Sequence, residues 1–229
     1  MTNQSVKLIS HSQPSKEIAD LGIDDAQELV AYCARVSNPS NQVNKETSEK
    51  LIKYLIKNKH WSPLQMVNIC VEIRTTRDIA RQILRHLSVT GFQEFSQRYQ
   101  DISEMSDGDF FVLRECRLQD KTNRQNSIEI DPNNQEHLDI EYEWLQRQLE
   151  VFELVEGHYK WALESGIAKE QARVILPEGN TPSVLYMNAS LRTWIHYIEL
   201  REKNGTQKEH MEIARLCSDV ISEVFPMID

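Results

Sequence analysis

Most of this chain repeats its apolar residues at helical spacing, and one stretch does not. From Leu64 to Ile73, the residues Val67, Ile69, Val71 and Ile73 alternate with Met66, Asn68, Cys70 and Glu72. That period of two puts successive side chains on opposite faces of a strand. Val6 to Ser10 reads as a short edge strand, and Thr90 to Tyr99 as a loop leading into a strand. Helical spacing runs from Lys16 to Val36, along Leu51, Ile52, Leu55 and Ile56, and from Asp78 to Leu87 with Ile79, Ala80, Ile83, Leu84 and Leu87 inward. It returns in a long stretch from His137 to Ser165, briefly from Lys169 to Ile175, and from Ala189 to Arg201 and Lys208 to Val224. Residues 101–133 are polar and read as disordered or inserted. No repeat or linker divides the chain. The expectation is one mixed α/β (α+β) domain over residues 1–229, richer in helix than strand.

Composition narrows the function. The 229 residues carry a net charge of −9 with 40% hydrophobic residues, which fits a globular protein and opposes a general nucleic-acid binder, usually basic. There is no secretory signal and no apolar run long enough to cross a bilayer, so a cytoplasmic protein is expected. The four cysteines, Cys33, Cys70, Cys116 and Cys217, form no CxxC pair. They read as small buried hydrophobes rather than as a zinc or redox site, and no metal is expected.

Charge concentrates in three places. Arg77, Arg81 and Arg85 are spaced to stack along one helix face, with Gln82 beside them and His86 following. The stripe reads either as a solvated face or as an anion site. Few acids lie near it in sequence, and arginine's planar donors match phosphate oxygens. Glu94, Ser96 and Arg98 would share one side of an extended segment, again either an exposed strand face or a phosphate and base cradle. Arg192 and His196 lie four apart in the last-but-one helix, and Arg173 stands without a partner before an apolar Val-Ile-Leu-Pro run. There is no GxGxxG, Walker A, HExxH or GxSxG motif. With seven glycines in the chain, a nucleotide would have to be held by side chains.

These segments together resemble the flavin-dependent thymidylate synthases. Arg85-His86-Leu87 followed by eight residues and Ser96 is similar to that family's Arg-His-Arg…Ser signature. The blocks Ala34-Arg35-Val36-Ser37, His60-Trp61-Ser62-Pro63, Glu94 to Tyr99, Arg173 to Pro177 and Leu191 to Arg201 follow in the family's order. The resemblance implies a helix-rich domain with an antiparallel or mixed sheet, assembled as a homotetramer with active sites shared between subunits. It implies dUMP contacts from Gln82, Ile83, Leu84, Arg85, Glu94, Phe95, Ser96, Gln97, Arg98, Arg173 and Arg201. It implies FAD contacts from Ser37, His60, Ser62, Arg85, His86, Leu87, Glu94, Ser190 and His196. Arg201 matches the arginine that polarises the uracil. NADPH and methylenetetrahydrofolate are the implied co-substrates, and no cysteine nucleophile is needed. Leu87 departs from the family's usual third arginine, and Ser190 from a frequent asparagine. Those departures suit an alternative, a nucleotide-binding regulatory protein without flavin chemistry, which a bound yellow cofactor would separate from the enzyme. A third reading, an RNA or DNA module using the arginine stripe, sits poorly with the acidic charge.

Overall fold

The computed structural model describes residues 4–104, 110–203 and 205–226. The alternating stretch forms β2 (Asn68–Thr76), which starts later and runs further than its pattern suggests. On one side it pairs with β1 (Ser5–His11), the expected edge strand. On the other it pairs with β6 (Pro182–Ser190), which in turn pairs with β3 (Gly91–Glu94). The sheet order β1-β2-β6-β3 is antiparallel throughout. One face is buried through Ile69, Val71, Ile73, Leu185, Met187 and Ala189. The other is polar, with the Tyr186 hydroxyl and Arg74 Nε both donating to Glu72. One solvated face is what an antiparallel sheet permits.

The strand β6 corrects the expectation that helix begins at Ala189. Ser183, Leu185, Met187 and Ala189 point inward at strand period, and the helix α7 (Leu191–Arg201) starts only where Ser190 caps it, accepting from Thr193 N–H. The pattern from Lys16 to Val36 is also broken in two, α1 (Lys16–Ala19) and α2 (Ala26–Ala34). Gly22 sits at φ +85° between them, the left-handed conformation that ends helices. Asp25 then caps α2 by accepting from Glu28 N–H at 2.7 Å. The helix α3 (Ser48–Lys57) lies where expected.

The helix α4 (Arg77–Ile83) is shorter than its apolar pattern. Leu84 is half-buried and Leu87 is 97% exposed, so neither belongs to the core as expected. The described residues of segment 101–133 are ordered, against the expectation of disorder. The segment contains a hairpin of β4 (Arg117–Gln119) and β5 (Ser127–Glu129), while residues 105–109 lie outside the described residues. The long helix α5 (Gln135–Glu164) is capped by Asn134, followed by α6 (Lys169–Ala172) and a 3₁₀ turn at Arg173–Ile175. The helix α8 (Lys208–Ser222) closes the fold.

The main core lies between the buried sheet face and helices α4, α7 and α8. Trp194 anchors it, fully buried, with its indole N–H donating to Ile69 O at 3.0 Å. A second cluster of Ile102, Phe111, Tyr159, Ala162, Ala172 and Leu176 sits beneath α5. Of the cysteines, Cys116 and Cys217 are buried as expected, whereas Cys33 and Cys70 are half-buried. Burial raises the thiol pKa of all four, which disfavours a nucleophilic thiolate. Among the described residues no helix is long and apolar enough to cross a membrane.

Candidate functional site

The helix α4 presents its polar residues in two directions. Arg77 and Arg81 turn toward β3, where the Glu94 carboxylate meets Arg81 at 3.0 Å and Arg77 at 3.6 Å. Glu178 approaches both guanidinia from the loop before β6. The acids missing from the local sequence are therefore supplied from distant segments. Ser183 donates to the same Glu94 at 2.8 Å. Arg85 leaves the stripe, because α4 ends at Ile83 and the chain turns there. It is exposed, and its guanidinium makes no hydrogen bond or ion pair among the described residues.

Gln82 turns the other way, toward α8. Its Nε2 donates to Gln207 Oε1 at 2.7 Å, and its Oε1 lies 3.3 Å from His210 Nδ1. Beyond the helix, His86 folds back onto α7. Arg201 Nε donates to His86 Nε2 at 2.9 Å, and the His86 ring meets Tyr197 edge-on at 4.8 Å. Burial, and then the neighbouring Arg201 charge, lower the His86 pKa to about 4. His86 is therefore neutral near pH 7. Its Nε2 accepts, so its proton sits on Nδ1, which has no partner among the described residues. Arg201 closes the last turn of α7, where the helix dipole favours a cation. Its Nε is anchored and its two terminal nitrogens are unengaged among the described residues.

The remaining candidates lie apart from these contacts. His196 packs edge-on against Trp61 at 4.5 Å, joining α7 to the 3₁₀ turn Ser62–Gln65. Ser37, His60 and Ser62 are exposed, His60 with its ring 5.7 Å from Tyr54. Ser190 is occupied as the α7 cap. The segment after β3 does not continue as strand. Tyr99 N–H and Gln100 N–H both donate to Ser96 O, so Ser96 and Arg98 lie in a turn rather than on one strand face. Arg98 pairs with Glu170 at 3.5 Å, and Arg173 Nε donates to Glu170 O, so neither lacks a partner. Phe95 is half-buried, its N–H donating to Val184 O. Gln97 is 3% exposed, and its Nε2 has no partner among the described residues. Ile83 is wholly buried, so its side chain belongs to the core and not to a ligand surface.

Two clusters result. One links Gln82, His86 and Arg201 through His210 and Tyr197 across α4, α7 and α8, with Arg85 exposed next to His86 in the chain. The other gathers Glu94, Ser96, Arg98 and Arg173 near α6 and the loop before β6. No hydrogen bond or ion pair joins the Arg201–His86 pair to the second cluster among the described residues. Sequence reasoning missed Tyr197, Gln207, His210 and Glu178. Gln207 and His210 lie three apart at the start of α8, but nothing in that spacing announces a partner on α4. Arg35, within a recognised block, is buried and braces the fold, donating to Asn44 O and Thr47 Oγ1.

The arrangement sets arginine, glutamine and histidine side chains from α4, α7 and α8 beside one another on a helix-rich antiparallel domain. Residues 19–227 match the family described as thymidylate synthase complementing protein. The chain belongs to that family. It is 45% identical over 224 residues to a probable flavin-dependent thymidylate synthase of Paramecium bursaria Chlorella virus 1, covering 98% of this chain and 96% of the relative. It is 45% identical over 201 residues to a flavin-dependent thymidylate synthase of Synechocystis sp., covering 87% and 86%. Among solved structures it is similar to a UMP/dUMP methylase PolB from Streptomyces cacaoi bound with 5-Br dUMP, at TM-score 0.76 and 23% identity, covering 100% of this chain and 93% of that one. That likeness supports the fold.

Proposed function

We propose that this protein is a flavin-dependent thymidylate synthase that methylates dUMP to dTMP, with FAD as its flavin, NADPH as reductant and methylenetetrahydrofolate as one-carbon donor. The reading assigns Arg201 to catalysis and the candidate residues above to nucleotide and flavin contacts. The observation that carries it is the Arg201–His86 pair. A guanidinium fixed at Nε and open at both terminal nitrogens stabilises negative charge developing on a uracil ring. The neutral His86 imidazole holds that guanidinium in place without adding a competing positive charge, and its Nδ1–H is a donor with no partner among the described residues.

The donor set fits a flavin nucleotide. Arg85 and Arg192 are cations with no partner among the described residues, suited to phosphate oxygens. The exposed hydroxyls of Ser37 and Ser62, with His60 and His196, offer neutral polar contacts for a heterocycle. A reduced flavin supplies hydride when bound; the chain's own residues bind the nucleotide, orient it and stabilise ring charge. The second cluster, Glu94, Ser96, Arg98 and Arg173, would complete the dUMP site from another subunit of a homotetramer. Exposed apolar side chains on α5 support assembly: Leu154 and Trp161, seven apart and so on one side of the helix, are each 60% exposed in the single chain. A cytoplasmic location suits this nucleotide chemistry.

The test is the visible spectrum of the purified protein before and after dUMP. An oxidised-flavin spectrum that shifts with dUMP supports a shared site. A colourless protein that takes up no added FAD would overturn the reading.

A further inference from the structure

Behind Gln82 and His86 lies a buried polar group that none of the nucleotide or flavin assignments uses. His210 is 0% exposed and Tyr197 1% exposed, on neighbouring helices α8 and α7. A buried imidazole in contact with a buried phenol is costly unless both are satisfied, and here each finds a partner.

The hydrogen-bond directions follow from the chemistry of each atom. Gln82 Nε2 donates to Gln207 Oε1 at 2.7 Å, so the atom that Gln82 turns to His210 is its carbonyl oxygen. A carbonyl oxygen only accepts, so His210 Nδ1 carries the proton. Its Nε2 then bears a lone pair and accepts from the Tyr197 hydroxyl at 3.2 Å. Burial keeps Tyr197 protonated as that donor requires, and lowers the His210 pKa to about 3, so the ring stays neutral. One tautomer satisfies every bond, and the reverse one would face Nδ1's lone pair against the Gln82 oxygen.

We propose that His210, acting through Gln82 and Tyr197, is a positioning residue of the nucleotide site. It holds the Gln82 amide in a single orientation, leaving the second Nε2 hydrogen available to a ligand. It also steadies the Tyr197 ring, against whose edge His86 packs at 4.8 Å while accepting from Arg201. The two neutral histidines thus orient the amide and the guanidinium that face the substrate. The inference rests on the proposed reading of Gln82, His86 and Arg201 as the nucleotide-facing set.

The test follows dUMP binding through the flavin spectrum of the FAD-loaded protein in four forms: wild type, His210→Leu, His210→Gln and Tyr197→Phe. Glutamine keeps one donor and one acceptor without a ring; leucine keeps neither. His210→Leu and Tyr197→Phe are expected to weaken dUMP binding by about threefold to tenfold, the effect of one net hydrogen bond, with FAD affinity unchanged. His210→Gln is expected to stay within about twofold of wild type, on the same basis. If the leucine and phenylalanine variants bind dUMP like wild type, the positioning role is wrong while the enzyme reading stands. Equal weakening in the glutamine variant would assign the effect to ring packing and also overturn it. Should the leucine variant not fold, Tyr197→Phe, which removes one oxygen, decides. A wild-type protein whose flavin spectrum ignores dUMP would instead sink the functional reading.

Discussion

Of the seven histidines, His210 is the one held at 0% exposure, and its replacement by glutamine tests the energetics of that burial through pH. Burial first, then the nearby Arg201 and His86 charges, lower its folded pKa from 6.5 to about 3. The sign follows from proton binding. Below pH 6.5 the unfolded chain takes up a proton at this ring, whereas the folded chain takes none until about pH 3. The unfolded state therefore binds more protons, and folding stability drops as pH falls through this window. Each unit is worth roughly 1.4 kcal/mol, so lowering the pH from about 7 to about 5 should remove roughly 2 kcal/mol through His210. The figure is insensitive to the folded value, since pH 5 lies well above it. His86 contributes in the same direction, with its pKa lowered to about 4, but it is present in both proteins and cancels in their difference. The assay is denaturant unfolding of wild type and His210→Gln at both pH values and fixed protein concentration. The variant is expected to lose less stability on acidification, by roughly 2 kcal/mol. Parallel pH dependences in the two proteins would refute the buried neutral imidazole.

Arg201→Ala should abolish turnover while FAD stays bound, measured by product formation beside the flavin spectrum; wild-type rates would remove Arg201 from catalysis. Arg98→Ala should weaken dUMP binding by more than about 1 kcal/mol, the low end for charge-assisted hydrogen bonds. Its exposed pairing with Glu170 is worth no more than about 1 kcal/mol to stability, so binding and unfolding measurements separate the two roles. Glu209 is 2% exposed and holds Arg117 at 2.6 Å and Arg114 at 3.6 Å, tying the hairpin segment to α8. Glu209→Ala removes the acid that the two guanidinia share, leaving Arg114 to Asp78 at 3.2 Å and Arg117 to Glu115 at 3.3 Å, and should cost up to about 3 kcal/mol of stability; a loss below about 1 kcal/mol would show that water already screens the pair.

Local patterns carried much of the fold. The alternation around Val67 to Ile73 specifies a half-buried strand because only a period of two keeps one face apolar, and the stripes of α3 and α8 specify helices for the corresponding reason. Where local signals conflict, tertiary contacts prevail. β6 was hidden because Val184 to Ala189 offers few markers beside a strong helical continuation, yet its pairing with both β2 and β3 makes it central. α4 was overestimated because Leu84 and Leu87 continue its apolar period although the chain turns after Ile83.

The residue types of the site were legible for a simple chemical reason: arginines, a glutamate and histidines crowded into a chain with seven glycines leave side chains to hold an anion. Their ordered blocks carried the family as well. Which of them meet could not be read from order along the chain. Arg201 reaches His86 across 115 residues and His210 reaches Gln82 across 128. Glu94 is spent on Arg77 and Arg81, the very arginines that looked unpaired. Spacing fixes which side chains share one helix face, because that geometry is local. Partnership, burial and the protonation they impose depend on which faces the sheet and helices press together, and those are properties of the packed chain.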